Sequence, residues 1–254
     1  KAVSKYLTFR IKYHKPIVII SRNLYAAVFF GLLLRKEIVY ETHAPENGYR
    51  KRLQKWVINS SRIRTVVISK ALEAIICKEH ALSEEKLHVF HDAARFSGSQ
   101  LNNKQREEYR HLLLAGTIDL KKFNKFIGYF GHLYVGRGIE VIQGIALKNS
   151  DHAFVVYGGN ENDIENYIES NNISNLFFMG HINPNLVQRA MGMMDVLLMP
   201  YQNRVSIGLE GVDTASWMSP MKMFEYMSVG VPIISSDLPV LREILIDGDN
   251  CRLV

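Results

Sequence analysis

Lys222 and Glu225 stand three residues apart in the string S-P-M-K-M-F-E-Y-M-S-V-G-V-P at residues 219–232. On a helix that spacing puts both side chains on one face. The flanking residues predict the helix itself. Ser219 reads as its N-cap and Pro220 as its first helical position, while Gly230 and Pro232 close it before the strand-like run 231–236. Phe224 and Met227 are expected on its buried side. The positive end of the helix dipole favours acids, yet the first turn holds Lys222 and no acid. In an isolated helix that costs up to roughly 1 kcal/mol. A bound anion reverses the sign, because free backbone N–H groups and a Lys ammonium together make a phosphate site. A carboxylate one turn on can accept hydrogen bonds from two adjacent hydroxyls, as on a ribose. One helix therefore has the parts to hold a diphosphate at its tip and a ribose below it. The bland alternative is a surface i,i+3 ion pair of little energetic weight.

The surrounding elements are those of an α/β chain. Apolar runs such as P-I-V-I-I (16–20), A-F-V-V-Y (153–157) and D-V-L-L-M (195–199) lack alternation, as strands buried on both faces of a parallel sheet do. Further runs lie at 38–41, 65–69, 87–90, 126–131, 176–180 and 231–236. Helical patterns between them, at 138–147, 162–170, 184–193 and 220–229, give a βαβα rhythm and a doubly wound fold. The polar stretch 97–125 has helical character and no strand-like run. Residues 1–125 hold 24 Lys and Arg against 11 Asp and Glu, a balance of +13; residues 126–254 hold 7 against 14, a balance of −7. Strand pattern and charge both reset near Lys125, which predicts two lobes, 1–125 and 126–254. The basic half suits an acidic partner, such as a membrane surface, a lipid phosphate or nucleic acid, unless the drift in charge has no functional cause.

Other features exclude whole classes. No apolar run reaches the ~18 residues of a membrane span; the longest candidate, 26–34, stops at Arg35 and Lys36. Cys77 and Cys251 form neither a disulfide framework nor a metal motif, which fits a reducing cytosol. No D-x-D pair is present and no His/Cys cluster has ligand spacing. No G-x-G-x-x-G follows a strand, which argues against a nicotinamide dehydrogenase. The chain opens at Lys1 without a signal-peptide pattern and stops at Val254 just after a turn-like 247–250, so both ends read as cut and the first lobe as incomplete.

The extended string S-P-M-K-M-F-E-Y-M-S-V-G-V-P-I-I-S-S-D-L-P-V-L-R-E resembles the donor-binding segment of the family-4 glycosyltransferases (glycosyl transferases group 1), retaining enzymes of the GT-B type. Other segments match in order: Y-F-G-H-L-Y-V-G-R-G-I-E (129–140), F-V-V-Y-G-G (154–159), F-F-M-G-H-I (177–182) and D-V-L-L-M-P-Y (195–201) in the second half, Y-E-T-H-A-P-E (40–46) and V-F-H-D-A-A-R-F (89–96) in the first. The resemblance implies two Rossmann-like lobes with the nucleotide sugar held by the second. It implies that Glu225 binds ribose and that Arg137 contacts the diphosphate, in a position where the family usually has Lys. Gly131 lets the backbone approach the phosphates, with His132 beside it; Gly180 and His181 border the base; Ser219, Pro220, Met221 and Lys222 form the helix tip. His43 matches a histidine that faces the donor sugar, or is an ordinary loop histidine.

One departure concerns the sugar. Many members carry an acid eight residues before the ribose-binding Glu, and here that position is Trp217. Asp213 and Glu210 in the same loop are candidate substitutes. The implied mechanism needs no metal, cofactor or protein nucleophile. His43, Arg137 and Lys222 are the candidate catalytic residues, with Arg137, Lys222 and helix N–H groups stabilising the departing diphosphate. The acceptor is expected to be a glycan or a lipid-linked saccharide, in polysaccharide or lipopolysaccharide synthesis. Residues 47–59 read as an amphipathic helix with Leu53, Trp56 and Val57 on one stripe and Arg50, Lys51, Arg52 and Lys55 around it. Such a helix lies on an anionic membrane or packs on the sheet; the first option makes a cytoplasmic enzyme peripheral to the inner face. Nucleic acid is not expected, since no aromatic platform accompanies the basic half. A GT-B nucleotide-sugar epimerase, a sugar phosphorylase and a catalytically inactive nucleotide-binding fragment remain as alternatives.

Overall fold

The computed structural model describes residues 17–96, 100–170, 173–206, 208 and 211–254. Contacts gather these into two compact units that divide between His91 and Asp92, well before Lys125. Among the described residues no helix is long and apolar enough to cross a membrane.

The first unit is a parallel sheet in the order β1 (Ile19–Ser21), β2 (Ile38–Thr42), β3 (Ile63–Val67), β4 (Leu87–Val89). The crossovers are a short α1 (Leu24–Ala27) that continues as a π-helical turn (Val28–Leu33), then α2 (Gly48–Asn59) and α3 (Lys70–His80). Leu24, Phe30, Ile38, Tyr40, Val57 and Ile63 form its core. The predicted stripe on α2 is corrected. The helix buries Gln54, Val57 and Ile58, while Trp56 is 63% exposed. Residues 54, 57 and 58 follow the i, i+3, i+4 spacing of a packed face. Gln54 is tolerated there because it donates to Thr42 and takes part in a contact with His80.

The second unit opens with α4 (Asn103–Leu114), capped by reciprocal bonds between Asn102 and Gln105. A six-stranded parallel sheet follows, built from β5 (Lys125–Phe130), β6 (His152–Tyr157), β7 (Leu176–Gly180), β8 (Val196–Met199), β9 (Ile233–Ser235) and β10 (Arg252–Leu253). The crossover helices are α5 (Ile139–Lys148), α6 (Glu161–Ser170), α7 (Val187–Gly192) and α8 (Met221–Val229). Strand order is β10-β9-β8-β5-β6-β7. The chain winds outward from β5 in one direction, then returns to the far side of β5 as β8. The crevice at the carboxyl ends of β5 and β8 is thus a topological switch point, where ligands bind in open parallel sheets. Ile139, Ile142, Phe154, Val156 and Leu198 fill the core beneath it.

The division falls before α4 because α4 is fastened to the second sheet. Arg110, almost fully buried, donates from Nε to the Met193 carbonyl at 2.8 Å, approaches Asp195 Oδ2 at 3.0 Å and stacks over Phe126 at 4.7 Å. The same Asp195 oxygen accepts the Phe126 N–H at 2.8 Å. A carboxylate that serves a guanidinium and the first turn of β5 together ties α4, β5 and the entry to β8 into one body. Removing it breaks a buried pair and leaves the Arg110 cation only the exposed Glu107, at 2.9 Å, a loss of about 3 kcal/mol. Asp195→Ala is therefore expected to lower the unfolding free energy by that order in denaturant titration, and Arg110→Ala by a similar amount, since it leaves the largely buried Asp195 without its cation.

Candidate functional site

β5 ends at Phe130, and the chain turns at Gly131 into the loop that leads to α5. Gly131 has φ +148°, and a Cβ there would lie 2.8 Å from Lys222 Cε and 2.9 Å from its Nζ. A side chain would therefore displace the ammonium. From the other side, the Gly158 backbone comes so close that a Cβ on it would strike the Gly131 carbonyl oxygen at 2.2 Å. Two loops meet here backbone to backbone, with room left for one lysine.

That lysine comes from α8. The helix is capped at Pro220 rather than Ser219, and no side chain caps it. Ser219 is withdrawn because its Oγ accepts the Asp92 N–H at 3.2 Å. The buried face also differs from expectation: α8 buries Lys222, Met223, Tyr226 and Val229, whereas Met227 is 37% exposed. Tyr226 sets this rotation, its hydroxyl accepting the Phe130 N–H at 2.8 Å and so fixing α8 to the end of β5. Lys222 is carried inward with it. Its Nζ lies 3.6 Å from the centre of the Tyr129 ring and 5.3 Å from that of Tyr201. Among the described residues it forms no ion pair, with Glu225 or any other acid, so the surface-pair alternative does not hold. Burial, then the nearby Arg137 charge, holds its pKa well below the usual lysine value, against the opposing pull of Glu225.

Arg137 reaches the same place from the loop. Its Nη1 donates to the Tyr201 hydroxyl at 3.0 Å, and its Nε is buried without a hydrogen-bond partner. Two cations and an orphaned donor thus face one spot with no acid in salt-bridge range among the described residues, an arrangement that an anion would complete. Beside it is a cavity of about 240 Å³, lined among others by Gly131, His132, Gly158, His181 and Glu225. The Glu225 carboxylate has no hydrogen-bond partner among the described residues. His132 stacks on Tyr134, with ring centres 4.8 Å apart. Burial and the charges of Arg137, His181 and Lys222 lower the His132 pKa. Gly180, at φ +64°, ends β7 and accepts the Gly158 N–H at 2.7 Å, which sets His181 at the cavity edge.

The remaining candidates sit elsewhere. Met221 is exposed at the helix tip, and Trp217 lies half-buried in the loop before it. Asp213 lines a different cavity, of about 670 Å³, with Tyr134, Asp163, Tyr167 and Arg204. One of its oxygens accepts the N–H groups of Val205 and Ala215 at 2.9 and 3.0 Å, so part of its carboxylate organises the loop. Glu210 lies outside the described residues. His43, in the first unit, follows β2 and contacts Glu41 at 2.6 Å, and Glu41 also pairs with Arg22 at 2.9 Å. Sequence reading missed Tyr129 and Tyr201. The available signal was a tyrosine at the carboxyl end of each of the two strands that flank the switch point.

The Asp213 bonds carry a pH signature. Backbone donation from Val205 and Ala215 depresses its pKa, so its contribution is full above the unfolded carboxylate value and fades as pH falls through the lower folded one. Asp213→Asn is expected to reduce the thermal midpoint at pH 7, with the gap from wild type closing as the melts are repeated towards pH 3.

With the geometry in place, comparison with known proteins identifies the fold and the family. The chain is similar to HepE from Anabaena, solved in complex with UDP-glucose, at 16% identity and a TM-score of 0.71 over 99% of this chain and 67% of that one. It is similar to sucrose-phosphate synthase from Thermosynechococcus elongatus at 14% identity and TM-score 0.69, over 100% and 64% of the two chains. A third likeness is to WaaG, a glycosyltransferase involved in lipopolysaccharide biosynthesis, at 15% identity and TM-score 0.61, over 91% and 68%. The chain spans about two thirds of the length of these proteins. No curated protein matches it in sequence. These likenesses show the GT-B fold, with its two Rossmann-like units. Residues 124–254, more than half of the chain and all of the second sheet, match the family described as glycosyl transferases group 1, and the chain belongs to that family.

Proposed function

We propose that this protein transfers a sugar from a nucleotide-diphosphate sugar to a glycan or lipid-linked acceptor, with retention of configuration. The observation that carries the reading is the pair of cations, Lys222 and Arg137, at the uncapped tip of α8, with Glu225 one turn further on in the adjoining cavity. A diphosphate fits the cations and the orphaned Arg137 Nε, and ribose hydroxyls fit the unpartnered carboxylate. The cavity between His132 and His181 has room for part of a nucleoside. HepE, solved with UDP-glucose, makes UDP-sugars the first donors to test.

In the transfer step the bond from the anomeric carbon to the diphosphate breaks, and charge builds on the departing phosphate oxygens. Fixed cations aimed at those oxygens stabilise that charge without reorganising. The acceptor hydroxyl attacks from the face the diphosphate leaves, so the anomeric configuration is kept and no protein nucleophile is required. The role of metal-independent electrostatics falls on Lys222 and Arg137. Losing one such donor costs about 100-fold to 1000-fold in turnover. Lys222→Ala is expected to lose activity on that scale, and Glu225→Ala to weaken nucleotide binding while leaving pyrophosphate binding intact. The deciding experiment is thermal stabilisation by UDP, GDP, ADP and their sugars, followed by product analysis. Nucleoside diphosphate released in step with a glycosylated acceptor supports transfer. An epimerised nucleotide sugar supports the epimerase alternative, and no stabilisation by any of them sinks the donor-site reading.

The exposed side of α2 supports an acceptor held at an anionic membrane surface. Tyr49 and Trp56, seven residues apart and so on one face, are 66% and 63% exposed. Arg52 and Lys55 are exposed beside them, whereas Lys51 and Arg50 are occupied by Glu79 and Glu46. Aromatic and basic side chains on one face suit the headgroup region. Work at the inner face of a membrane, in the cytoplasm where such donors are made, follows from that reading. Arg52→Glu with Lys55→Glu is expected to abolish co-sedimentation with phosphatidylglycerol vesicles and to leave activity on a soluble acceptor unchanged. Binding that survives the double change counts against the membrane surface.

A further inference from the structure

The Lys222 ammonium faces aromatic rings where a carboxylate would be the ordinary partner. Tyr129, from the end of β5, presents its ring face at 3.6 Å, and its hydroxyl is anchored to the His132 carbonyl at 2.7 Å. Tyr201, just past β8, lies 5.3 Å from the same ammonium and 5.3 Å from the Arg137 guanidinium, to which its hydroxyl is also bonded at 3.0 Å. Both rings are buried, at 1% and 2% exposure. A ring face attracts a cation through its quadrupole, but it cannot neutralise it or satisfy its N–H donors. An aromatic seat therefore holds the ammonium in place and leaves its charge available, which a carboxylate would cancel.

We propose that Tyr129 and Tyr201 are positioning residues of the donor site, an aromatic seat that holds Lys222 and Arg137 ready for the diphosphate without quenching them. The inference rests on the donor-site reading given above and goes beyond it by assigning two residues that act through the cations. Tyr129 acts by its ring, and Tyr201 by its ring and by its hydroxyl on Arg137.

The seat has a consequence for protons. The groups facing Lys222 are Tyr129 from β5, Arg137 and His132 from the following loop, Tyr201 after β8, and Glu225 and Tyr226 on α8 itself. Of these only Glu225 is an acid. Burial and Arg137 lower the Lys222 pKa in the empty site, whereas a bound diphosphate adds negative charge and raises it. Binding is then accompanied by uptake of a fraction of a proton per site from solvent onto Lys222 Nζ. A purely structural role for the tyrosines would leave that uptake unchanged.

The test is calorimetric titration with UDP and with inorganic pyrophosphate at pH 8, in buffers of different ionisation enthalpy, on wild type, Tyr129→Leu, Tyr129→Phe, Tyr201→Leu, Tyr201→Phe and Lys222→Met. Wild type is expected to take up a fraction of a proton on binding UDP, and Lys222→Met close to none. Tyr129→Leu is expected to bind both ligands about tenfold more weakly, the scale of a desolvated cation–ring contact, and to change the proton count, with Tyr129→Phe restoring most of both. Tyr201→Phe, which keeps the ring and drops the bond to Arg137, is expected to fall between wild type and Tyr201→Leu. If the leucine variants fail to fold, Tyr201→Phe carries the test through its affinity and proton count. Wild-type binding with the same affinity and proton uptake in every folded tyrosine variant overturns the inference alone. No binding of UDP or pyrophosphate by wild type overturns the donor-site reading and this inference with it.

Discussion

The second unit is organised around a buried lysine and a half-buried arginine that no acid among the described residues pairs with. Taking a cation out of water costs several kcal/mol after relaxation, and an ordinary protein recovers this with a carboxylate. Lys222 and Arg137 have instead two tyrosine rings, one phenolic oxygen and a helix tip. The absence of a side chain at Gly131 leaves room for the ammonium, and the rotation of α8 set by Tyr226 carries it there. Such a site is costly electrostatically, and the rest of the sheet supplies the stability that tolerates it.

That stability is visible in how each functional element is fastened. β5 is hydrogen-bonded to both β6 and β8, and the Phe130 backbone is held by Tyr226 from α8. Asp195 and Arg110 brace the opposite end of β5 through α4. The strand whose carboxyl end carries Tyr129 and Gly131 is thus fixed at both ends, and rigid support is what a preorganised charge site requires.

Much of this was legible in the sequence, for a physical reason. Continuous apolar runs mark parallel strands, and a lysine in an acid-free first turn stands out as an anomaly, since both are local features. What the sequence concealed was non-local or rotational. The string M-K-M-F-E-Y-M-S-V is apolar at so many positions that its periodicity does not decide between Phe224/Met227 and Met223/Tyr226 as the buried pair; the hydroxyl of Tyr226 on the Phe130 backbone decides it. Ser219 has the composition of a cap but is used by Asp92, 127 residues away. Tyr129 and Tyr201 become one seat only because β5 and β8 are neighbours in the sheet. On α2, Trp56 carried the hydrophobic signal, yet the polar Gln54 is the residue turned inward.

The bond between Arg110 and Asp195 also sets where this protein can be divided. The family match begins at residue 124, and a donor unit excised there would keep every strand of its sheet. It would lose α4, and with it the partner of Asp195 and the chain segment that packs Leu101 near Gly192 and Gln100 against Gly230. The smallest autonomous piece therefore begins near Asp92, whose N–H holds Ser219 beside the helix tip. A polar segment that the sequence assigns to the first lobe is, in three dimensions, the first structural element of the second unit.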